Sequence, residues 1–378
     1  MIRLLNILFL IHIVVVEQCA KAQHTIEVDL THIPTSYRKH YNKAIELSTS
    51  GDAYQFMSLR AYLGANNALL KKRIQNDIIE YQLQLIENIL SASWVSMQIK
   101  NNRYLYKDIY KGWVSYRDNG TKNSEVPLYE SYSFFYIAQF LYIIKNNGWV
   151  EESSENITRW NIILAFIEQN IWTKWYQRCV RVKENHYWYF LRGRTHMGSH
   201  WAGIAMYLNK LSENKEIKSQ TEVLVNQYDR LLKRNFKLKE NGYVWNSTYD
   251  NVEGTYASAV SGDIIQDVSH GNHVVAYIIA AFELGNENWS KEDINRLCYT
   301  LTEFVYDSHN NRFKDNVDGS DDESRPGWGN FVGDGWVQLA DYSEKVRSIM
   351  VEFQNSKQFQ KYNQELQFTA NLNKVLLP

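Results

Sequence analysis

Apolar residues recur at three- and four-residue spacing through most of this 378-residue chain, the period of helices with one buried face. Leu69–Ile99 carries such a stripe through Ile79, Leu83, Ile86 and Leu90, and Leu128–Ile144 carries another through Tyr132, Phe135, Tyr136, Gln139, Phe140 and Ile143. Ile157–Trp175, His200–Leu211 and Glu222–Phe236 continue the series. Val274, Val275, Ile278, Ile279 and Phe282 mark a helix face that Gly285 ends as a cap. Ser290 with Asp293 reads as a capping box opening a helix through Tyr306, and Phe331–Phe353 gives one more. Alternation with period two is confined to His186–Leu191 and Tyr243–Asn246, the two short strands expected.

Only four prolines interrupt this pattern, and no Gly-, Ser- or Pro-rich linker divides it. The expectation is one all-α domain over residues 23–378, with helix pairs stacked in a ring (an α/α toroid). Globin-like or solenoid packing satisfies the same periodicity. Met1–Ala22 reads as a secretory signal: Arg3, an apolar run Leu4–Val16, then Ala20-Lys21-Ala22. The run is short of the roughly 20 residues a spanning helix needs, so the expected location is the periplasm or outside the cell, with no membrane span in the mature chain. Cys179 and Cys298 then remain, either as one disulfide or as two buried thiols.

Charge is nearly balanced, 41 basic residues against 42 acidic, which argues against a partner bound through phosphate attraction such as a nucleic acid. The aromatic share, 14%, with 26 Tyr and 12 Trp, suits surfaces that are apolar in the middle and hydrogen-bonding at the edge, as sugar rings require. Core packing accounts for most of these rings.

Four loop-to-helix segments mix Gly, His, Arg and aromatics beyond what a plain turn needs. His186–Gly203 gathers Arg192, Arg194, His196, His200 and Trp201 at a helix start, where N–H groups and arginine forks favour a carboxylate. Trp245–Tyr256 presents Trp245, Tyr249 and Tyr256; a tyrosine beside a cation is a workable proton shuttle. Asp263–His273 offers Asp267 or Ser269 as N-cap, with His270 and Asn272 as donors at the helix mouth. His270 and His273, three apart, admit a metal reading, but no third ligand stands at a fixed spacing, so neither metal nor cofactor is expected. Asp315–Trp336 pairs an acidic loop lacking calcium-loop spacing with Arg325, Trp328 and Trp336.

Together these segments resemble the polysaccharide lyases of α/α-toroid fold, the group of alginate and glucuronan lyases. Gly198-Ser199-His200-Trp201-Ala202-Gly203 is similar to the Asn-His-x-x-Trp-Ala stretch of the alginate lyases, and Tyr256 follows His200 at the distance of that family's proton-shuttling tyrosine. The resemblance implies β-elimination on an anionic, uronic-acid-containing polysaccharide. Tyr256 would serve as base and acid and His200 as its partner, with Arg194, Asn272 and His270 around the carboxylate. Arg192, Trp201, Tyr249, Trp245 and Arg325 would bind the polymer. Two departures stand out: Ser199 replaces the asparagine, and no arginine shortly precedes Tyr256. The alternatives are a glycoside hydrolase pairing Asp263 or Asp267 with Asp250 or Glu253, and a non-catalytic glycan-binding protein.

Overall fold

The computed structural model describes residues 35–99, 106–182, 187, 189–191, 193–249, 264–359 and 365–376. The Met1–Ala22 leader and Asp250, Glu253, Tyr256 and Asp263 lie outside the described residues, as does Arg192.

The chain is all-α. Its helices are α1 (Thr35–Thr49), α2 (Phe56–Lys72), α3 (Asn76–Ser91), α4 (Pro127–Asn146), α5 (Ser154–Phe166), α6 (Lys174–Val182), α7 (Thr195–Leu211), α8 (Lys215–Asn235), α9 (Val268–Glu283), α10 (Lys291–Tyr299), α11 (Gly335–Gln338), α12 (Glu344–Gln354) and α13 (Glu365–Leu376). Three antiparallel pairs of two or three residues a strand make up the sheet structure among the described residues. One of them joins Lys237–Lys239 to Gly242–Val244, the strand expected near Tyr243. Its partner escapes the pattern because Lys237, Leu238 and Lys239 are all exposed.

Two kinds of helix follow from two kinds of sequence. In α8 Ile217, Thr221, Leu224, Tyr228, Leu231 and Leu232 form a buried stripe with most charges opposite, and the buried Asp229 accepts from the Tyr277 hydroxyl. α4 is apolar on nearly every face, opens with Pro127 in its first turn, and is buried almost throughout. α7 and α9 are likewise enclosed. The enclosed helices pack in a cyclic order: α13 on α2, α2 on α4, α4 on α7, α7 on α9, α9 on α11, and α11 back on α13. Close approach needs glycine at two seams. A Cβ on Gly203 of α7 would strike the Phe135 ring of α4, and one on Gly335 would strike the backbone of α9 at Asn272 and Ala276.

Two expected helices are broken. Leu69–Ile99 divides into the end of α2 and α3, because Arg73 and Gln75 are extended between them. Phe331–Phe353 becomes α11, a 3-10 turn and α12, the last started by Ser343 accepting from Val346 N–H. The Ser290–Asp293 capping box forms, but the helix widens to π geometry over Thr300–Val305. Cys179 and Cys298 are free and buried, and burial pushes both thiols up to about 12.

One buried ionic cluster ties the short hairpin at Lys111–Gly112 to the helices. Lys174 donates to Glu130 at 2.8 Å and to the Lys111 carbonyl at 3.0 Å. Arg178 bonds Asp108 twice at 3.0 Å and reaches Glu125 at 3.2 Å. Lys174, Glu130, Glu125 and Arg178 are all at most 1% exposed. A Cβ on Gly112 would press on the Lys174 ammonium and on Glu125. Removing one member strands the others without water. Lys174→Met is expected to lower unfolding free energy by about 3–5 kcal/mol in a denaturant titration, with the m-value unchanged.

Candidate functional site

The first two turns of four helices aim polar side chains at one point. Arg60 comes from α2, Tyr132 from α4, His196 and His200 from α7, and His270 and His273 from α9. The spacings His196/His200 and Tyr132/Tyr136 place each pair on one helix face a turn apart. The histidines therefore meet in two tiers. His196 and His270 face each other with ring centroids 4.2 Å apart, and one turn deeper His200 and His273 do so at 4.6 Å.

The deeper tier is the denser one. The Tyr132 ring lies edge-on to His200 at 4.7 Å and to His273 at 5.7 Å. Arg60 stands 4.9 Å over that same ring, and its Nη1 is 2.8 Å from His273 Nε2 and 2.9 Å from Nδ1. Behind them Asp334, just before α11, accepts from the Tyr136 hydroxyl at 2.5 Å and from Gln367 Nε2 at 3.0 Å, with His273 Nδ1 3.4 Å away. In the outer tier Asp267 caps α9 by accepting from His270 N–H and lies 2.9 Å from His270 Nδ1. Trp328, partly exposed, sits 6.0 Å from His270, and Arg325 covers Trp328 at 5.2 Å while pairing with Asp322.

Burial sets the protonation states. His196, His200 and His273 are held well below the ordinary histidine range, first by burial and then by neighbouring histidines and, at His200 and His273, by Arg60. Tyr132 is pushed up by burial, with Arg60 opposing. Asp334 is raised by burial against the pull of Arg60. Asp267 ends below the usual carboxylate value: burial works to raise it and is outweighed by His270 and Arg325. His196 Nδ1, His200 Nε2 and Asn272 Nδ2 are buried and have no hydrogen-bond partner among the described residues. Neutral imidazoles, free to accept a hydrogen bond, thus stand beside a phenol that keeps its proton.

Of the residues singled out from sequence, His200 and His270 fall inside this cluster. Arg194 precedes α7, close enough for its charge to weigh on His196. Asn272 lies one residue from His273 and is turned partly to structure, its Oδ1 accepting from Trp336 N–H at 3.0 Å. Trp201 and Trp245 are each 1% exposed; the first packs on Phe190 and the second on Phe236 and Trp336. Tyr249 packs against Tyr228, and Arg325 stands at the rim with Trp328. Arg60, Tyr132, Tyr136, Asp334 and Gln367 escaped the sequence reading as site residues. Their one signal is polarity inside otherwise apolar helix faces, as at Arg60 within Phe56–Leu70. His270 and His273 take separate partners, and among the described residues no group of three His, Cys, Asp or Glu side chains is placed to hold a metal ion. In the Asp315–Glu323 loop Asp321 is engaged by Arg312 and Asp315 by Gly329 N–H.

No protein-family model matches the chain, and no curated protein matches it.

The depressed histidines make a test of the cluster. An unfolded histidine gains its proton near pH 6.5, and the buried ones do not, so stability is full above that pH and declines as pH falls toward the folded values. His196→Gln is expected to flatten this acid decline by about one proton, roughly 1.4 kcal/mol per pH unit below about pH 6.5. Denaturant midpoints of the two proteins across that range check it.

Proposed function

We propose that this chain is a polysaccharide lyase that cleaves an anionic, uronic-acid-containing polymer of the alginate or glucuronan kind by β-elimination, and that it meets this polymer as an exported protein. The observation that carries the reading is the contact group of Arg60, Tyr132, His200 and His273, one cation with proton acceptors and a proton donor. The cyclic packing of the enclosed helices fits the toroid that the sequence resemblance implies.

The chemistry follows from what each group is able to do. A proton on C5 of a uronate becomes acidic only when the adjacent carboxylate is neutralised, the work of a guanidinium in a water-poor site. Arg60 supplies it. His200, neutral and with Nε2 unpartnered, takes the C5 proton. The electron pair forms the C4=C5 double bond as the C4–O bond breaks, and Tyr132 gives its proton to the departing glycosidic oxygen. Proton return from His200 to Tyr132 restores the site. Of the carboxylates that hydrolysis would pair, Asp267 is bonded to His270, while Asp250, Glu253 and Asp263 lie outside the described residues.

The test is ultraviolet absorbance of the unsaturated product while the purified chain meets alginate, glucuronan and other polyuronates. Absorbance should rise with at least one polymer, and Arg60→Ala, His200→Ala and Tyr132→Phe should each lower kcat/KM about 10²–10⁴-fold. New reducing ends without the double bond would transfer the site to hydrolysis. Full loss in Tyr256→Phe with Tyr132→Phe active would move the donor's role to Tyr256.

A further inference from the structure

Arg60 over Tyr132 is the middle one of three guanidinium-on-ring pairs at this end of the molecule. Trp328, 37% exposed, packs at the start of α9 with its ring 6.0 Å from His270, and Arg325 covers it at 5.2 Å. Tyr54, in the 3-10 turn that leads into α2, carries Arg117 over its ring at 4.5 Å. The Tyr54 ring stands edge-on to Tyr129 at 5.4 Å, and Tyr129 is one turn from Tyr132 on the same face of α4. In the cyclic order of the six packed helices α2 and α9 are three places apart, so the Arg117 and Arg325 pairs lie on opposite sides of Arg60.

The Arg117 pair is tied down. Asp52, 7% exposed, accepts with Oδ1 from the N–H groups of both Tyr54 and Tyr116 at 2.9 Å, and Ala53 N–H bonds the Val114 carbonyl at 3.0 Å. The segment that bears Arg117 is thereby stitched to the start of α2. Arg117 itself is exposed and has no acidic partner among the described residues, since the neighbouring Asp118 pairs with Lys122 at 3.2 Å. A ring beneath a guanidinium holds it without cancelling its charge, and the forked donors remain available to a carboxylate. Arg325 keeps less of that capacity, because its Nε donates to Asp322 at 3.1 Å. A polymer that repeats a carboxylate along its length matches cations repeated across the site; a chain end or a single acidic sugar would use only the central one. We propose that Arg117, held on Tyr54, is a remote carboxylate subsite for a uronate away from the one at Arg60. Arg325 and Trp328 engage the chain on the other side, so a polyuronate lies across the site and is cut within its length.

The ligand named here rests on the polyuronate reading of the site, and binding and cutting are measured separately to keep the two apart. For binding, the full chain carrying Tyr132→Phe is titrated calorimetrically with size-graded oligouronates prepared from alginate and from glucuronan. Affinity should rise with oligomer length, and adding Arg117→Ala should weaken the long oligomers about 3–10-fold, with the loss shrinking as the oligomers shorten. Arg117→Glu, a reversal of charge on an exposed side chain, should weaken them further, and both losses should fade as salt is raised. For cutting, the viscosity of the polymer should fall early with products of mixed length, and Arg117→Ala should lower kcat/KM on long chains through KM with kcat kept. No loss in Arg117→Ala, or the same loss at every length, overturns the subsite. Release of short products of one size while viscosity holds overturns the crossing path. Binding that depends on Arg117 without any unsaturated product would support the subsite and remove the lyase reading. Unsaturated product with no dependence on Arg117 would do the reverse, and no binding at any length would remove both.

Discussion

A cation placed in the middle of a helical assembly has to be fixed by something that does not cancel it, and this requirement organises the centre of the molecule. Arg60 meets it with a π face on one side, Tyr132 at 4.9 Å, and a ring nitrogen of His273 on the other. Both partners accept without a full negative charge. The consequence spreads outward. The imidazoles must stay neutral, and their burial next to Arg60 ensures that. The carboxyl beside this group, Asp334, stands one group removed, with Tyr136 and Gln367 bonded to it. These residues come from α2, α4, α7, α9, α13 and the turn before α11, so the arrangement exists only if the helices close around it.

Closure is supported by devices remote from the centre. Gly203 lets α7 close on the Phe135 ring of α4, and Gly335 lets α11 close on the backbone of α9. The Lys174–Glu130–Arg178–Asp108 cluster fixes α4 and α6 against the Lys111–Gly112 hairpin with no exposed charge. Buried ion pairs of this kind contribute little net stability, since desolvation offsets most of the attraction. Their effect is on geometry: each charge admits few alternative partners, which restricts how α4 is able to sit.

The sequence revealed the helices better than the site. α4, α7 and α9 announce themselves through long apolar periods, and Asp267 and Ser290 mark two helix starts that the structure keeps. His200 and His270 were visible because Gly, Arg and His crowd together in loop-to-helix segments. Arg60, Tyr132 and Asp334 were not, for a physical reason. Arg60 is 213 residues from His273, and Tyr136 is 198 from Asp334. Each is a lone polar group on a helix or turn whose neighbours are core. Nothing local distinguishes Tyr132, 4% exposed and on an apolar stripe, from a ring that merely fills space. Trp245 and Trp336 show the converse, prominent in the sequence yet enclosed and stacked 6.0 Å apart.

The account turns on whether Arg60 receives a sugar carboxylate. The direct measurement is a crystal structure of the Tyr132→Phe protein, kept from turning over, with a short oligouronate bound. The account predicts one carboxylate bonded to the Arg60 guanidinium, with His273 still at its other side and C5 of that sugar facing His200 Nε2. A sugar whose carboxylate lies away from Arg60, with only hydroxyl groups reaching the histidines, would contradict it.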